Sequence, residues 1–195
     1  MTAIFIQIMV WIIITLILSR LLYILWITIY TYILTDRRMK GFPSYRFPNT
    51  FLHGPVTSAA SRLVPYPTPH AMVSACIYDV HKKSLRIQAK LPESVYWSIT
   101  FFARNQDCYF TLNDLEVKQK YRQDVEIVLK KRGISYTPKK NEIIVSAPRF
   151  SKRGLILIRI IMMDPSDKEE IKRITQIQKM VTTEVLEIDS TSNTI

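Results

Sequence analysis

The stretch LRIQAKLPESVYWSITF, residues 85–101, decides the fold, because its apolar residues recur at every second position. Leu85, Ile87, Ala89 and Leu91 alternate with Arg86, Gln88 and Lys90. Val95, Trp97, Ile99 and Phe101 then alternate with Tyr96, Ser98 and Thr100. Successive side chains of a strand point to opposite faces, so both runs predict strands with one buried face. The short Pro92-Glu93-Ser94 link predicts that they pair as an antiparallel hairpin. Similar runs at Met72–Tyr78, Tyr109–Leu112, Val125–Leu129 and Ile143–Val145 predict further strands.

Leu155–Met163 differs in being apolar on both parities apart from Arg159. That is the pattern of a strand at the centre of a sandwich, and it is read as the core strand. Asp164 and Pro165 end it. Ser166 followed by Glu169 makes a capping box that opens a helix, on which Ile171, Ile174, Ile177 and Val181 form one apolar face.

Working back toward the N-terminus, residues 41–69 carry Pro43, Pro48, Pro55, Pro65, Pro67 and Pro69 between aromatics such as Phe42, Tyr45, Phe47 and Phe51. Proline fixes φ and removes a donor, so an extended connector is predicted. Before it, Ala3 to Leu34 holds Arg20 as its only charge. As a helix this segment is about 48 Å long against about 30 Å of hydrocarbon, enough for one tilted span. Two short spans reversing at Arg20 are the competing reading, but the reversal lacks Gly, Pro, Asn or Asp. Trp11 at one end and Trp26, Tyr30 and Tyr32 toward the other suit the headgroup levels. A cleaved signal peptide fits less well, since the run is long and has no basic leader.

The expected fold class is therefore mainly β (α+β): an N-terminal transmembrane helix, an antiparallel β-sandwich and a C-terminal α-helix. The expected organisation is an anchor with its basic flank over 1–40, the connector over 41–69, the sandwich with its closing helix over 70–188, and a polar tail over 189–195.

The chain has 195 residues and a formal charge of +11. Since the first 34 residues contribute only Arg20, the excess lies in the remainder and favours anionic partners. Arg37, Arg38 and Lys40 follow the apolar run directly, and Lys82, Lys83, Lys130, Lys131 and Arg132 fall between strands. These eight are candidate contacts for anionic lipid headgroups. Arg20, inside the span, is a candidate to pair with another membrane protein. No nucleic-acid partner is expected, for want of a recognition helix or an aromatic-basic sheet signature. By the positive-inside rule the flank puts the C-terminal domain in the cytoplasm.

Catalytic signatures are scarce. Four glycines, Gly41, Gly54, Gly133 and Gly154, are too dispersed for a phosphate-cradling loop. No Gly-x-Ser-x-Gly elbow occurs. His53, His70 and His81 lack metal-ligand spacing, and Cys76 and Cys108 each stand alone, so neither metal nor cofactor is expected. A disulfide between the two cysteines is left open. The densest polar group is Asp79, Arg104, Asn105, Asp107, Asn113 and Asp114 at strand ends. It is a candidate rim site for an enzyme using Asp79, Arg104 and Asp107, or else a set of turn-forming side chains.

The block from Pro69 to Asp114 carries Cys76-Ile77-Tyr78-Asp79, Tyr96-Trp97-Ser98-Ile99, Tyr109-Phe110 and Asn113-Asp114. In that order these resemble a bacterial family known only as domain of unknown function 1254, in its short form of integral membrane proteins. The resemblance implies a mostly antiparallel β-sandwich, with Asn113-Asp114 in a turn, and brings no established reaction. The family often places an acidic residue soon after the Trp-Ser strand, where this chain has Ala103-Arg104-Asn105. Longer relatives look exported, which implies a periplasmic domain and opposes the flanking charge. With the resemblance, the leading reading is an accessory or interaction protein of the bacterial inner membrane, with the enzyme as the alternative.

Overall fold

The computed structural model of the protein describes residues 2–57, 70–91, 95–120, 124–139 and 141–187. The Pro92-Glu93-Ser94 link, the second half of the connector and the polar tail lie outside them. The chain divides into two compact units, Met1–Arg38 and Met39–Ile195.

The first unit is helical. α1 runs unbroken from Thr2 to Lys40, so the two-span alternative does not hold. It is the one described helix long and apolar enough to cross a membrane, with a mean hydropathy of 2.4. Its hydroxyls do not need water: Thr15 donates to the Trp11 carbonyl at 2.8 Å, and Thr28 and Thr31 donate back to Ile24 and Ile27. Arg20 lies over the Tyr23 ring at 5.7 Å.

The second unit is a sandwich. β1 (Phe51–Val56), β2 (Ala71–Asp79), β3 (Ser84–Lys90), β4 (Trp97–Phe102) and β5 (Cys108–Asn113) are followed by α2 (Asp114–Lys120). Then come β6 (Asp124–Lys131), β7 (Glu142–Ala147), β8 (Arg153–Ile161), α3 (Lys168–Lys179) and β9 (Thr182–Leu186). One sheet has the order β1-β2-β8-β4-β5 and the other β7-β6-β3-β9. Met72, Cys76, Ile156, Ile158, Ile160, Trp97, Ile99 and Phe101 from the first sheet pack against Leu85, Ile87, Ile127, Leu129 and Val145 from the second.

The core strand is where its sequence puts it. β8 lies between β2 and β4 at the centre of the larger sheet, with Ile156, Ile158 and Ile160 buried and the alternate residues half-buried. The hairpin is not. β3 pairs with β6 and β9, while β4 pairs with β5 and β8 in the opposite sheet. Alternation reports that a strand has a buried face, not which strand lies beside it. Here the two buried faces meet across the core instead of lying side by side.

Four other elements depart from the expectation. β1 lies within the proline-rich connector, at the edge of its sheet, and its register shifts between His53 and Val56, around Pro55. An edge strand with a bulge tolerates the missing donor. Asn113-Asp114 opens a helix and not a simple turn: the Asn113 side-chain carbonyl accepts from the Glu116 amide at 2.9 Å. α3 is capped one residue later than the capping box proposed, by Asp167 on the Glu169 amide at 2.9 Å. It stops at Lys179 so that Val181 leads into β9.

The fourth departure is a parallel pair, β6 with β7, in an otherwise antiparallel sandwich. Parallel neighbours need a crossover, and the connecting chain crosses the outer face of its sheet. There Tyr136 donates to Glu142 at 2.9 Å, and Arg86 reaches Glu142 at 3.1 Å and Glu184 at 2.8 Å. Val128, the register partner of Arg86, is fully buried on that face.

α3 closes the sandwich beside β1. Its buried Gln178 donates to Ser74 Oγ at 3.1 Å, and His53 Nδ1 lies 2.9 Å from the same oxygen. Burial, then the Lys179 charge, holds the His53 ring below the usual imidazole pKa. With Ser74 wholly enclosed, these bonds satisfy interior polar groups and do not form a reactive pair.

Candidate functional site

The strand registers assemble one end of the sandwich. In the larger sheet Asp79 pairs with Arg153, and Phe102 pairs with both Leu155 and Cys108. In the smaller sheet Ser84 pairs with Leu186 and Lys131 with Ala147. Two short links, residues 80–83 and 148–152, join the sheets here. The same end therefore collects the loops 80–83, 103–107 and 148–152 and the turn after β6.

It is strongly basic. Lys82, Lys83, Arg104, Lys131, Arg132, Arg149, Lys152 and Arg153 stand here, against Asp79, Asp107 and Glu187 among the described residues. All three carboxylates have partners. Asp79 accepts from Arg153 through Nε at 3.1 Å and a terminal nitrogen at 2.5 Å, and from the His81 amide at 3.0 Å. Burial works against the Asp79 charge, but Arg153 and then the His81 bonds outweigh it and hold the carboxyl below its ordinary value. Glu187 pairs with Lys83 at 2.5 Å, and Asp107 accepts from the Asn105 side chain.

Between the β6 and β7 ends lies a cleft of about 390 Å³ lined by Lys131, Arg132, Arg149, Phe150 and Lys152 with Ala147 and Pro148. The parallel pairing explains it, since both strands deliver their C-terminal ends to the same edge and their following loops diverge around the gap. No carboxylate lines it, and none of its four cations forms an ion pair among the described residues.

The loop carrying Arg149 and Phe150 is hydrogen-bonded at its base. The Ser151 amide donates to the Pro148 carbonyl at 2.9 Å, closing a turn with Phe150 near its tip. Ser151, buried, accepts from the Arg104 amide at 2.5 Å and donates to the Arg153 carbonyl at 2.9 Å. Phe150 is consequently 84% exposed. The unit's first residues dock at this end too: Asn49 donates to the Asp79 carbonyl at 3.1 Å, and the Tyr45 ring lies 5.3 Å from the Arg153 guanidinium. Between them Phe47 is 72% exposed.

The six residues of the expected rim site are split. Asp79, Arg104, Asn105 and Asp107 share this end, whereas Asn113 and Asp114 begin α2 at the opposite end, where Asp114 pairs with Lys118 at 3.3 Å. Of the eight candidate lipid contacts, Lys82, Lys83, Lys131 and Arg132 belong to this end. Lys130 turns to the Ile134 carbonyl at 2.6 Å, and Arg37, Arg38 and Lys40 lie on the last turns of α1. Sequence reasoning missed Arg149, Phe150 and the Ser151 anchor. The only signal was Pro148 ending an apolar run, which marks a turn but not its direction.

Cys76 and Cys108 are free thiols. They stand on β2 and β5, three strand spacings apart, about 14 Å, where a disulfide needs under about 7 Å. Burial pushes the Cys76 thiol up to about 12.

Residues 48–184 match the family described as "Protein of unknown function (DUF1254)". The chain belongs to the DUF1254 family. The matched region runs from the approach to β1 into β9, so it contains both sheets and the basic end, while α1 lies outside it. Among solved structures, the VPA0106 protein from Vibrio parahaemolyticus is similar over 81% of this chain, with a TM-score of 0.57 and 13% identity. A putative uncharacterized protein from Burkholderia cenocepacia aligns over 85% of the chain at 12% identity with a TM-score of 0.45. The DUF1254 chain described here spans 36% and 42% of those two proteins. The Vibrio likeness establishes a shared fold. No curated protein matches the chain.

Proposed function

We propose that this DUF1254 chain is a single-pass protein of a bacterial inner membrane, in which α1 holds the sandwich at the bilayer as an accessory or interaction domain. One observation carries the reading: none of the apolar window of α1 is buried against protein. Ile, Leu, Phe and Trp side chains from Ile4 to Ile33 are about half exposed along the helix. Full burial of such a side chain is worth roughly 1.5 to 3 kcal/mol, so at half exposure each would gain about half of that, and a bilayer offers the transfer to all of them at once. The back-bonded hydroxyls suit the same environment.

An enzymatic role for Asp79, Arg104 and Asp107 has less support, because Asp79 is paired with Arg153 across two strand ends and Asp107 accepts from Asn105 within its own loop. Sidedness follows either from the flank Arg37, Arg38 and Lys40, which favours a cytoplasmic domain, or from the resemblance to longer relatives that look exported, which favours the periplasm. Alkaline carbonate extraction of membranes is the test of anchoring: the chain is expected in the pellet, and its release into the supernatant would overturn the proposal. Reporters fused after Ile195 that are active on only one side then assign the compartment.

A further inference from the structure

We propose that the basic end of the sandwich is a docking surface for an anionic phospholipid bilayer, with Lys131, Arg132, Arg149 and Lys152 binding headgroup phosphates and Phe47 and Phe150 entering the interface. This rests on anchoring by α1 and adds a second, electrostatic contact. Four cations share a cleft without a carboxylate, so their mutual repulsion is relieved by an anionic partner. A lone exposed aromatic is ordinary. Two at the same charged end are not, and Phe150 is held outward by a turn whose Ser151 is buried and doubly bonded. Aromatic rings beside Lys and Arg are the composition of interfacial contacts, the rings at headgroup depth and the cations on phosphate. Tyr45 and Asn49, which follow α1 closely in the chain, are bound at this same end. The opposite end carries Asp114, Glu116, Asp164, Asp167, Glu169 and Glu170 against Lys90, Lys118 and Lys168, and suits an anionic surface poorly.

The test uses the full chain, with Cys108→Ser removing the exposed thiol, reconstituted in vesicles of phosphatidylcholine alone or with about a third phosphatidylglycerol. An environment-sensitive fluorophore is attached through Phe150→Cys, or through Met163→Cys at the acidic end as the control. The expected result is a blue shift at position 150 only with phosphatidylglycerol, absent at position 163 and abolished by about 1 M salt. Replacing each cleft cation by Gln should weaken docking about fivefold, and all four on the order of several hundred-fold. Flotation separates the two readings. A chain that floats with both vesicle types while position 150 stays water-exposed overturns docking and leaves anchoring intact; a chain that floats with neither overturns both. A response to inorganic phosphate in neutral vesicles with none to phosphatidylglycerol would also overturn it, marking a site for soluble anions.

Discussion

Tyr78 and Gly154 face each other across β2 and β8, and the Tyr78 ring fills the space that a side chain at position 154 would need. The Phe102 carbonyl on the far side of β8 presses on the same point. Gly154 is thus required by close approach at the strand end that also carries Arg153.

Gly154→Ala is expected to destabilise the domain by about 1 to 3 kcal/mol, the usual cost of overpacking. Adding Tyr78→Phe should not restore it, because the backbone oxygen of Phe102 cannot withdraw. Urea unfolding followed by fluorescence measures both, and a neutral Gly154→Ala would contradict the packing described.

The Asp79–Arg153 pair predicts an acid limit. Asp79 has a folded pKa below its unfolded one, so its contribution is complete above the ordinary carboxylate range and disappears as pH falls through the lowered value. Arg153→Gln removes the main cause of the lowering, so the acid transition should begin at higher pH. At neutral pH the loss should be on the order of 1 kcal/mol, the pair being partly open to solvent. Melting temperature recorded from pH 7 to 3 would show the displaced transition.

The crossover strap depends on Glu142, whose side chain is fully enclosed. Burial alone would raise its pKa, but the Lys139 amide, Tyr136 and Arg86 lower it, so its stabilisation too is lost only in acid. Glu142→Ala leaves Arg86 with one carboxylate, Glu184, and should cost about 2 to 3 kcal/mol. Tyr136→Phe should cost about 1 kcal/mol. Hydrogen exchange at residues 134–139 should rise in both variants before exchange in β8 does.

The two thiols should behave differently. Exposed Cys108 should react with a maleimide in the native protein, whereas Cys76, buried and protonated, should react only as the domain unfolds. One label per chain natively and two in denaturant is the expected mass. Oxidation should leave the monomer without an internal crosslink.

Much of the local structure was legible. The two-residue alternation of Leu85–Leu91 and Val95–Phe101, the doubly apolar Leu155–Met163 and the spacing of Ile171, Ile174 and Ile177 each correspond to an observed strand or helix. Those patterns arise because burial acts on each residue through the geometry of its own element. The basic end was legible only in part: Lys131 and Arg132 could be seen as rim residues, but Arg149 and Phe150 looked like any residues after a proline.

By itself the sequence determined an apolar N-terminal helix, a strand-rich domain with a closing helix, and a surplus of positive charge. Only the tertiary structure decided that Leu85–Leu91 and Val95–Phe101 face each other across the core, that β6 and β7 run parallel, and that eight cations meet at one end. Strand pairing is a contest among distant segments whose outcome depends on total burial and on the loops that close it. A residue's own neighbours in the chain carry no record of which partner wins.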